Sequence, residues 1–207
     1  MEQSTNIARL APTPIIFIRH GQTDWNAEGR MQGQQDIPLN DTGREQARRN
    51  GRELKGFLQR EGLSHADFEI ISSPMLRTRQ TMDLVLEEME LEANAYALDD
   101  RLKEITFGAM EGKTIPEIKA VNPELAEARK ADKWGFVPPE GESYKMLSYR
   151  IEGWLMSCSK PMIIVSHGGV MRVLRGLLLG YPTTEIPTLE VPQDQFLVWR
   201  DGKESWV

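Results

Sequence analysis

His20 and His167 share one local setting: each closes a short apolar, β-branched run and is followed at once by glycine. The runs are Ile15 to Ile18, ending in Arg19-His20-Gly21, and Met162 to Val165, ending in Ser166-His167-Gly168-Gly169. In an open α/β sheet, ligands bind beyond the carboxyl ends of the strands, so the spacing predicts both imidazoles at that edge. A glycine directly after each histidine lets the backbone approach a ligand closely. One histidine so placed would read as a buried, hydrogen-bonded residue. Two in matching places read as functional groups. His65, the third histidine, has no such context and reads as a surface residue.

Two arginines accompany the pair. Arg19 leaves an apolar strand, a costly position for a permanent charge unless an anion meets it. Arg77 follows Ser72-Ser73-Pro74, again where a strand gives way to a helix. A guanidinium binds phosphate in bidentate fashion and fixes its geometry as well as its charge. Helix N-termini near these loops would add backbone donors for the same anion. Taken singly, Arg77 or Arg79 would read as a solvated helix charge; their sequence context argues against that.

The elements that must position these groups alternate strand and helix, which predicts an α/β fold, a three-layer α/β/α sandwich with a mainly parallel sheet. Strands are expected at Ile15 to Ile18, Glu69 to Ser72, Ala95 to Leu98 (the weakest), Met162 to Val165 and Gln195 to Trp199. Arg200-Asp201-Gly202-Lys203 predicts a hairpin turn into a last edge strand. Asn40-Asp41-Thr42 offers an N-cap to a helix through Ala47, Leu54, Phe57 and Leu58. Further helices are expected over Leu76 to Met89, Pro116 to Lys133 with a break at Asn122-Pro123, Glu142 to Ser157, and through Val173, Leu174 and Leu177. Trp134 to Gly141 reads as a loop. The 207 residues suit one domain spanning 1–207, with 1–13 as a flexible N-terminal segment.

Composition narrows the partners. Thirty-one acidic against 25 basic side chains give a net charge of −6, which argues against a nucleic-acid or membrane-surface binder. An anionic ligand must therefore be held by a local cluster of positive charge. No apolar run approaches the roughly 20 residues that cross a bilayer, and Met1 to Thr13 lack a signal-peptide pattern, so a cytoplasmic location is expected. Cys158 is the single cysteine, which excludes an internal disulfide and a cysteine-based zinc site. It is expected to pack among Trp154 and Leu155.

With those residues in view, Arg19-His20-Gly21-Gln22-Thr23-Asp24-Trp25-Asn26 resembles the signature of the histidine phosphatase superfamily, in its phosphoglycerate mutase-like branch. The resemblance continues through Gln32-Gly33, Asp36 with Pro38-Leu39, Gly43, Ser72-Ser73-Pro74 with Arg77 and Gln80-Thr81, and Glu104 with Phe107-Gly108. It then covers Glu111-Gly112, Gly141-Glu142-Ser143 and Ser166-His167-Gly168-Gly169. It implies that His20 attacks phosphorus and forms a phosphohistidine, with Arg19, Arg77 and His167 binding the phosphoryl oxygens. Glu104 corresponds to the family's proton donor. Asn26 corresponds to a further phosphate contact, and Thr23, Gln32, Gly33 and Gly168 to pocket residues. The ligand implied is a small phosphorylated metabolite, with no cofactor. Two histidines and Glu104 could in principle ligate zinc, but adjacent arginines would repel a cation, so no metal is expected.

The chain departs from the family pattern at Gln34, Thr78 and Met110, positions expected to flank the pocket and to bear on the choice of substrate. In the mutases a long insertion after the proton donor and a C-terminal tail help close the site. Here 62 residues lie between Glu104 and His167 and 40 follow His167, a compact form that resembles the phosphatases. Hydrolysis is therefore expected over mutase activity, and a catalytically silent phospho-ligand binder is the remaining alternative. Trp134, Phe136 and Tyr144 read equally as walls for the rest of the substrate or as core. The oligomeric state stays open, a homodimer included.

Overall fold

A strand covered by helices on both sides of its sheet buries both faces and carries a continuous apolar run, as Ile15 to Ile18 and Met162 to Val165 do. The computed structural model describes residue 11 and residues 13–207, and it shows this arrangement. The proposed N-terminal segment 1–13 lies almost wholly outside the described residues. Six strands, β1 (Ile15–Arg19), β2 (Glu69–Ser72), β3 (Ala97–Leu98), β4 (Met162–Ser166), β5 (Phe196–Arg200) and β6 (Lys203–Trp206), form one sheet in the order β3-β2-β4-β1-β5-β6. The first four are mutually parallel; β5 runs antiparallel to β1, and β6 to β5.

Side chains sort by the parity of their positions. Ile15, Phe17, Met162 and Ile164 pack on one face with Trp154 and Leu155 of α6 (Tyr144–Met156) and Val170 and Leu174 of α7 (Gly168–Leu179). Ile16, Ile18, Ile163 and Val165 pack on the other face. Their neighbours are Leu54 and Leu58 of α2 (Asp41–Glu61) and Met82, Val85 and Leu86 of α3 (Leu76–Glu88). A third, smaller cluster of Met31, Met110, Ile118 and Ala126 anchors two short helices, α4 (Ile115–Val121) and α5 (Pro123–Ala131). Asn122 caps α5 and Pro123 opens it, so the expected interruption becomes a boundary between two helices.

Other differences are local. The weakest strand shrinks to Ala97–Leu98, because its single neighbour is β2. A helix of one turn, α1 (Asp24–Ala27), was not anticipated: Thr23 and Asn26 close a reciprocal capping box that stabilises it at this short length. Cys158 packs against the core as expected, and His65 and Arg79 are exposed. Among the described residues no helix is long and apolar enough to cross a membrane.

Asn40 caps α2 as its sequence predicts, accepting from the Gly43 amide at 2.9 Å. Here α2 meets the loop after β1 so closely that a Cβ on Gly21 would strike the Gly43 carbonyl. One on Gly43 would sit 2.6 Å from the Gln22 nitrogen. Both neighbours are backbone and yield little. Gly43→Ala is expected to lower stability by about 1–3 kcal/mol in urea titration; a loss below about 0.5 kcal/mol would show that the loop gives way.

Candidate active site

Strand register decides which groups meet. Arg19 pairs with Ser166 across the parallel ladder, so His20 and His167 are adjacent where the two strands end. Parallel neighbours lie about 4.8 Å apart, and the two rings stand edge to face with centroids 5.3 Å apart. Alternation sends both histidines to the α3 side and Arg19 to the α7 side. Ser73, just after β2, adds a third strand end: its Oγ lies 2.8 Å from His167 Nε2.

His20 is 2 % exposed, and its Nδ1 lies 2.8 Å from the Gly21 carbonyl. A carbonyl only accepts, so Nδ1 carries the proton and Nε2 keeps its lone pair. Arg77 Nε donates to that Nε2 at 3.2 Å. Burial, and then the Arg77 and Arg19 guanidiniums, hold the His20 pKa well below its ordinary value. Burial, Arg77, His20 and Arg19 do the same for His167. Both rings are neutral at neutral pH.

Arg77 is a guanidinium with 0 % exposure. Besides His20 it donates to the carbonyls of Gln35 and Gly33, each at 2.8 Å. Burial pulls its pKa down to about 10, and the carboxylates of Glu104, Asp36 and Glu111 oppose that pull. The charge therefore survives at neutral pH, and two of the five guanidinium N–H donors remain for a ligand. Arg19 is half-buried, with Nη1 donating to the Val191 carbonyl at 2.7 Å and Nε left without a protein partner. Its pKa is also lowered to about 10, by burial first and then by Arg172.

Glu104 faces the pair from the N-terminus of α7. Both carboxyl oxygens accept from the Gly169 amide at 3.1 Å. A Cβ on Gly169 would strike Glu104 Oε1, so a side chain there would displace the Glu104 carboxyl. The Glu104 loop is held from behind: Glu142 pairs with Arg150 at 2.7 Å, and Arg150 donates to the carbonyls of Arg101 and Lys103.

These groups surround a cavity of about 200 Å3 lined by Arg19, His20, Asn26, Gln32, Gly33, Arg77, Glu104 and Gly168, among others. Thr23 and His167 are not in its lining. Thr23 caps α1 and donates to Gln32 Oε1 at 3.1 Å, so it positions Asn26 and Gln32. His167, 0 % exposed, lies behind His20. Gln32 Nε2 and His167 Nδ1 are buried without protein partners.

Gln34, Thr78 and Met110, expected to flank the pocket, do not themselves line the cavity. Gln34 donates to the Glu104 carbonyl at 3.0 Å, Thr78 to the Ser73 carbonyl at 2.8 Å, and Met110 fills the third core cluster. Tyr144 lines the cavity, while Trp134 and Phe136 pack against core clusters.

Several contributors carried no sequence signal strong enough to single them out. Arg30, Arg129 and Arg172 all line the cavity. Arg172 stands one helical turn after Gly168, a spacing that could have exposed it; Arg129 comes from a separate helix. Gln193 donates to the His20 carbonyl at 2.9 Å and to Asn26 Oδ1 at 3.2 Å, tying the two together. Glu111 accepts from Gln34 N, Gln35 Nε2, Thr106 Oγ1 and Phe107 N, and so fixes the loop whose carbonyls hold Arg77.

Fold and edge together define an α/β protein that gathers a neutral histidine pair and buried guanidiniums at the carboxyl ends of parallel strands. Residues 15–206 match the model of the histidine phosphatase superfamily (branch 1), and the chain belongs to that superfamily, in its phosphoglycerate mutase-like branch. It is 34 % identical over 177 residues to a protein of Escherichia coli O1:K1 named "probable phosphoglycerate mutase GpmB", covering 81 % of this chain and 75 % of that one. It is 31 % identical over 186 residues to the 6-phosphofructo-2-kinase/fructose-2,6-bisphosphatase of Arabidopsis thaliana; the match covers 88 % of this chain but only 23 % of that protein. Among solved structures, the alpha-ribazole phosphatase of Shigella flexneri superposes with a TM-score of 0.77 at 25 % identity, covering 93 % of this chain and 94 % of that one. The mycobacterial glucosyl-3-phosphoglycerate phosphatase solved with VO3 gives 0.73 at 29 % identity, over 94 % and 96 % of the two chains.

The neutral histidines have a consequence for stability. Their folded pKa values lie below the unfolded value of about 6.5, so below that pH the unfolded chain binds more protons. Stability is therefore expected to fall as pH drops from 7 towards 5. Tm across that range is expected to have a shallower slope in His20→Asn than in the wild type. Equal slopes would show that His20 is not held neutral.

Proposed function

We propose that this protein hydrolyses a small phosphomonoester through a phosphohistidine on His20, without a metal. The observation that carries this reading is the His20 tautomer: Nδ1–H is committed to the Gly21 carbonyl, which leaves the Nε2 lone pair for phosphorus. Splitting one displacement into two is the usual gain from such a nucleophile.

In the first step Nε2 attacks phosphorus and the bond to the ester oxygen breaks. The Glu104 carboxyl gives its proton to that departing oxygen. Arg77 Nε–H, which meets the Nε2 lone pair in the free protein, is released to a phosphoryl oxygen as the P–N bond forms. In the second step the Glu104 carboxylate takes a proton from water while its oxygen attacks phosphorus. The P–N bond breaks, its electron pair returns to Nε2, and orthophosphate leaves. Arg19 and Arg77 offset the oxygens' charge throughout, in a site where burial strengthens each interaction.

The arginine wall supports metal-free chemistry, because fixed positive charge already fills the electrophilic role. Among the described residues no three His, Cys, Asp or Glu side chains cluster as a metal site would require. Hydrolysis is supported by likeness to the two solved phosphatases. The 34 % identity to the GpmB protein favours a second reading, a mutase that returns the phosphoryl group to an alcohol before water takes it.

The test is turnover of small phosphomonoesters in EDTA with every product identified. Free orthophosphate is expected; interconverted phosphate esters with little orthophosphate would make the mutase reading right. His20→Ala is expected to abolish turnover with an unchanged circular dichroism spectrum, and an active variant would sink the mechanism. Glu104→Gln is expected to slow turnover by about 10²–10⁴ and to leave acid-labile phosphate on His20.

A further inference from the structure

A row of side-chain amides runs from the backbone of His20 to the cavity wall, and its first member, Gln193, is not in that wall. Gln193 lies half-buried in the loop before β5. The buried Asn50 of α2 donates its Nδ2 to the Gln193 carbonyl at 3.0 Å and so fixes this backbone from behind. From that anchor Gln193 Nε2 reaches the His20 carbonyl at 2.9 Å and Asn26 Oδ1 at 3.2 Å. A side-chain amide has two N–H donors, one for each.

The row has a single polarity. A backbone carbonyl only accepts, so Gln193 must turn its Nε2 towards His20. Asn26 Oδ1 also accepts from the Thr23 amide at 3.2 Å, so Asn26 presents its Nδ2 to Gln32 Oε1, again at 3.2 Å. The Thr23 hydroxyl donates to that same Oε1 at 3.1 Å. What remains is Gln32 Nε2, without a partner among the described residues, on a buried side chain that lines the cavity. A buried donor left unpaired is costly, and a phosphoryl oxygen is an acceptor that would meet it. Reversing the row would set Gln32 Oε1 against that oxygen, lone pair to lone pair.

The capping box by itself gives Asn26 its direction, but Thr23 and Asn26 belong to one short segment and do not hold the end of β1. Gln193 makes that connection. The His20 ring follows its own backbone closely, because Nδ1 is tied to the carbonyl of the next residue, Gly21. A shift of the peptide at His20 therefore moves Nε2 relative to the amides of Asn26 and Gln32.

We infer that Gln193 is a positioning residue for phosphoryl transfer: it locks the His20 backbone to the Asn26 and Gln32 amides, so that the nucleophile and the donors for a phosphoryl oxygen keep one geometry. This deepens the phosphatase reading and rests on it. In-line attack tolerates little misplacement; an error of about 1 Å can cost on the order of 10²-fold in rate.

Two variants of similar size separate the donor from the bulk of the side chain. Gln193→Met keeps the length and removes the donor. Gln193→Glu keeps the shape and, when ionised, sets an acceptor against two others. With p-nitrophenyl phosphate, Gln193→Met is expected to lower kcat about tenfold or more, with KM changed by less than about threefold. Gln193→Glu is expected to be slower than Gln193→Met at pH 8 and to overtake it towards pH 5, because the protonated carboxyl regains one donor. His20, Glu104 and the neighbouring Arg49–Asp194 pair are common to both variants, so the ratio of their rates isolates the new carboxyl. A purely structural loss would lower Tm without that crossover. A kcat within about twofold of the wild type in Gln193→Met would overturn the proposal, as would a ratio that does not change with pH. If Gln193→Met fails to fold, the ratio of Gln193→Glu to the wild type over the same pH range decides. A wild type that hydrolyses p-nitrophenyl phosphate beside unaffected variants removes only this proposal. A wild type that binds orthophosphate in calorimetry yet transfers no phosphoryl group removes the phosphatase reading, and this proposal with it.

Discussion

A guanidinium with no solvent exposure sits against the lone pair of a neutral imidazole, and most of the site's construction serves to keep it there. Removing Arg77 from water is costly, and a buried ion is tolerated only when its hydrogen bonds and charge are met. Two backbone carbonyls, from Gly33 and Gln35, meet part of that need. They can do so only if the loop carrying them is fixed, which is the work of Glu111, accepting from Gln34 N and Gln35 Nε2. Glu111 also accepts from Thr106 and Phe107, just after Glu104, so one carboxylate ties the arginine loop to the acid's loop.

The sheet then decides how charge is distributed around the cavity. Because β1 and β4 are parallel neighbours in register, the side chains after their last residues sit side by side. Because strand side chains alternate, Arg19 and His20 diverge to opposite faces. Arg77 from α3 approaches His20 on one side, and Arg172 from α7 approaches Arg19 on the other. The neutral nucleophile is thereby bracketed by cations. That arrangement disfavours its protonation and favours an incoming phosphate.

A chain of net charge −6 that concentrates unpaired arginines in one cavity separates its local field from its overall charge. Most surface arginines are spent on neighbouring carboxylates, where exposed pairs contribute little to stability. Of those lining the cavity, Arg30 pairs with carboxylates, while Arg19, Arg77, Arg129 and Arg172 form no salt bridge among the described residues, so their charge is still available to a ligand. Such focusing raises the local concentration of anions without making the whole surface attractive to nucleic acid.

Much of this was legible in the sequence, for local reasons. The strand edges at Ile15, Glu69 and Met162 were readable because each run is short, β-branched and bounded by Gly, Ser or Pro. His20 and His167 stood out because glycine follows each. Asn40 announced α2 as a cap. Short-range capping also explains α1, whose capping box of Thr23 and Asn26 lies inside a longer motif. Tertiary structure alone decided the rest. Arg129 looks like any helix charge until the third core cluster fixes α5 beside the cavity, and Gln193 looks like a loop residue until it reaches His20 and Asn26. Thr23 and Gln32 read alike as pocket residues, yet one lies beneath the other. Local sequence specifies the conformation of a segment, because caps, turns and periodicity act over a few residues. Which charges end up sharing one cavity depends on contacts between segments far apart in the chain, and those exist only once the sheet has formed.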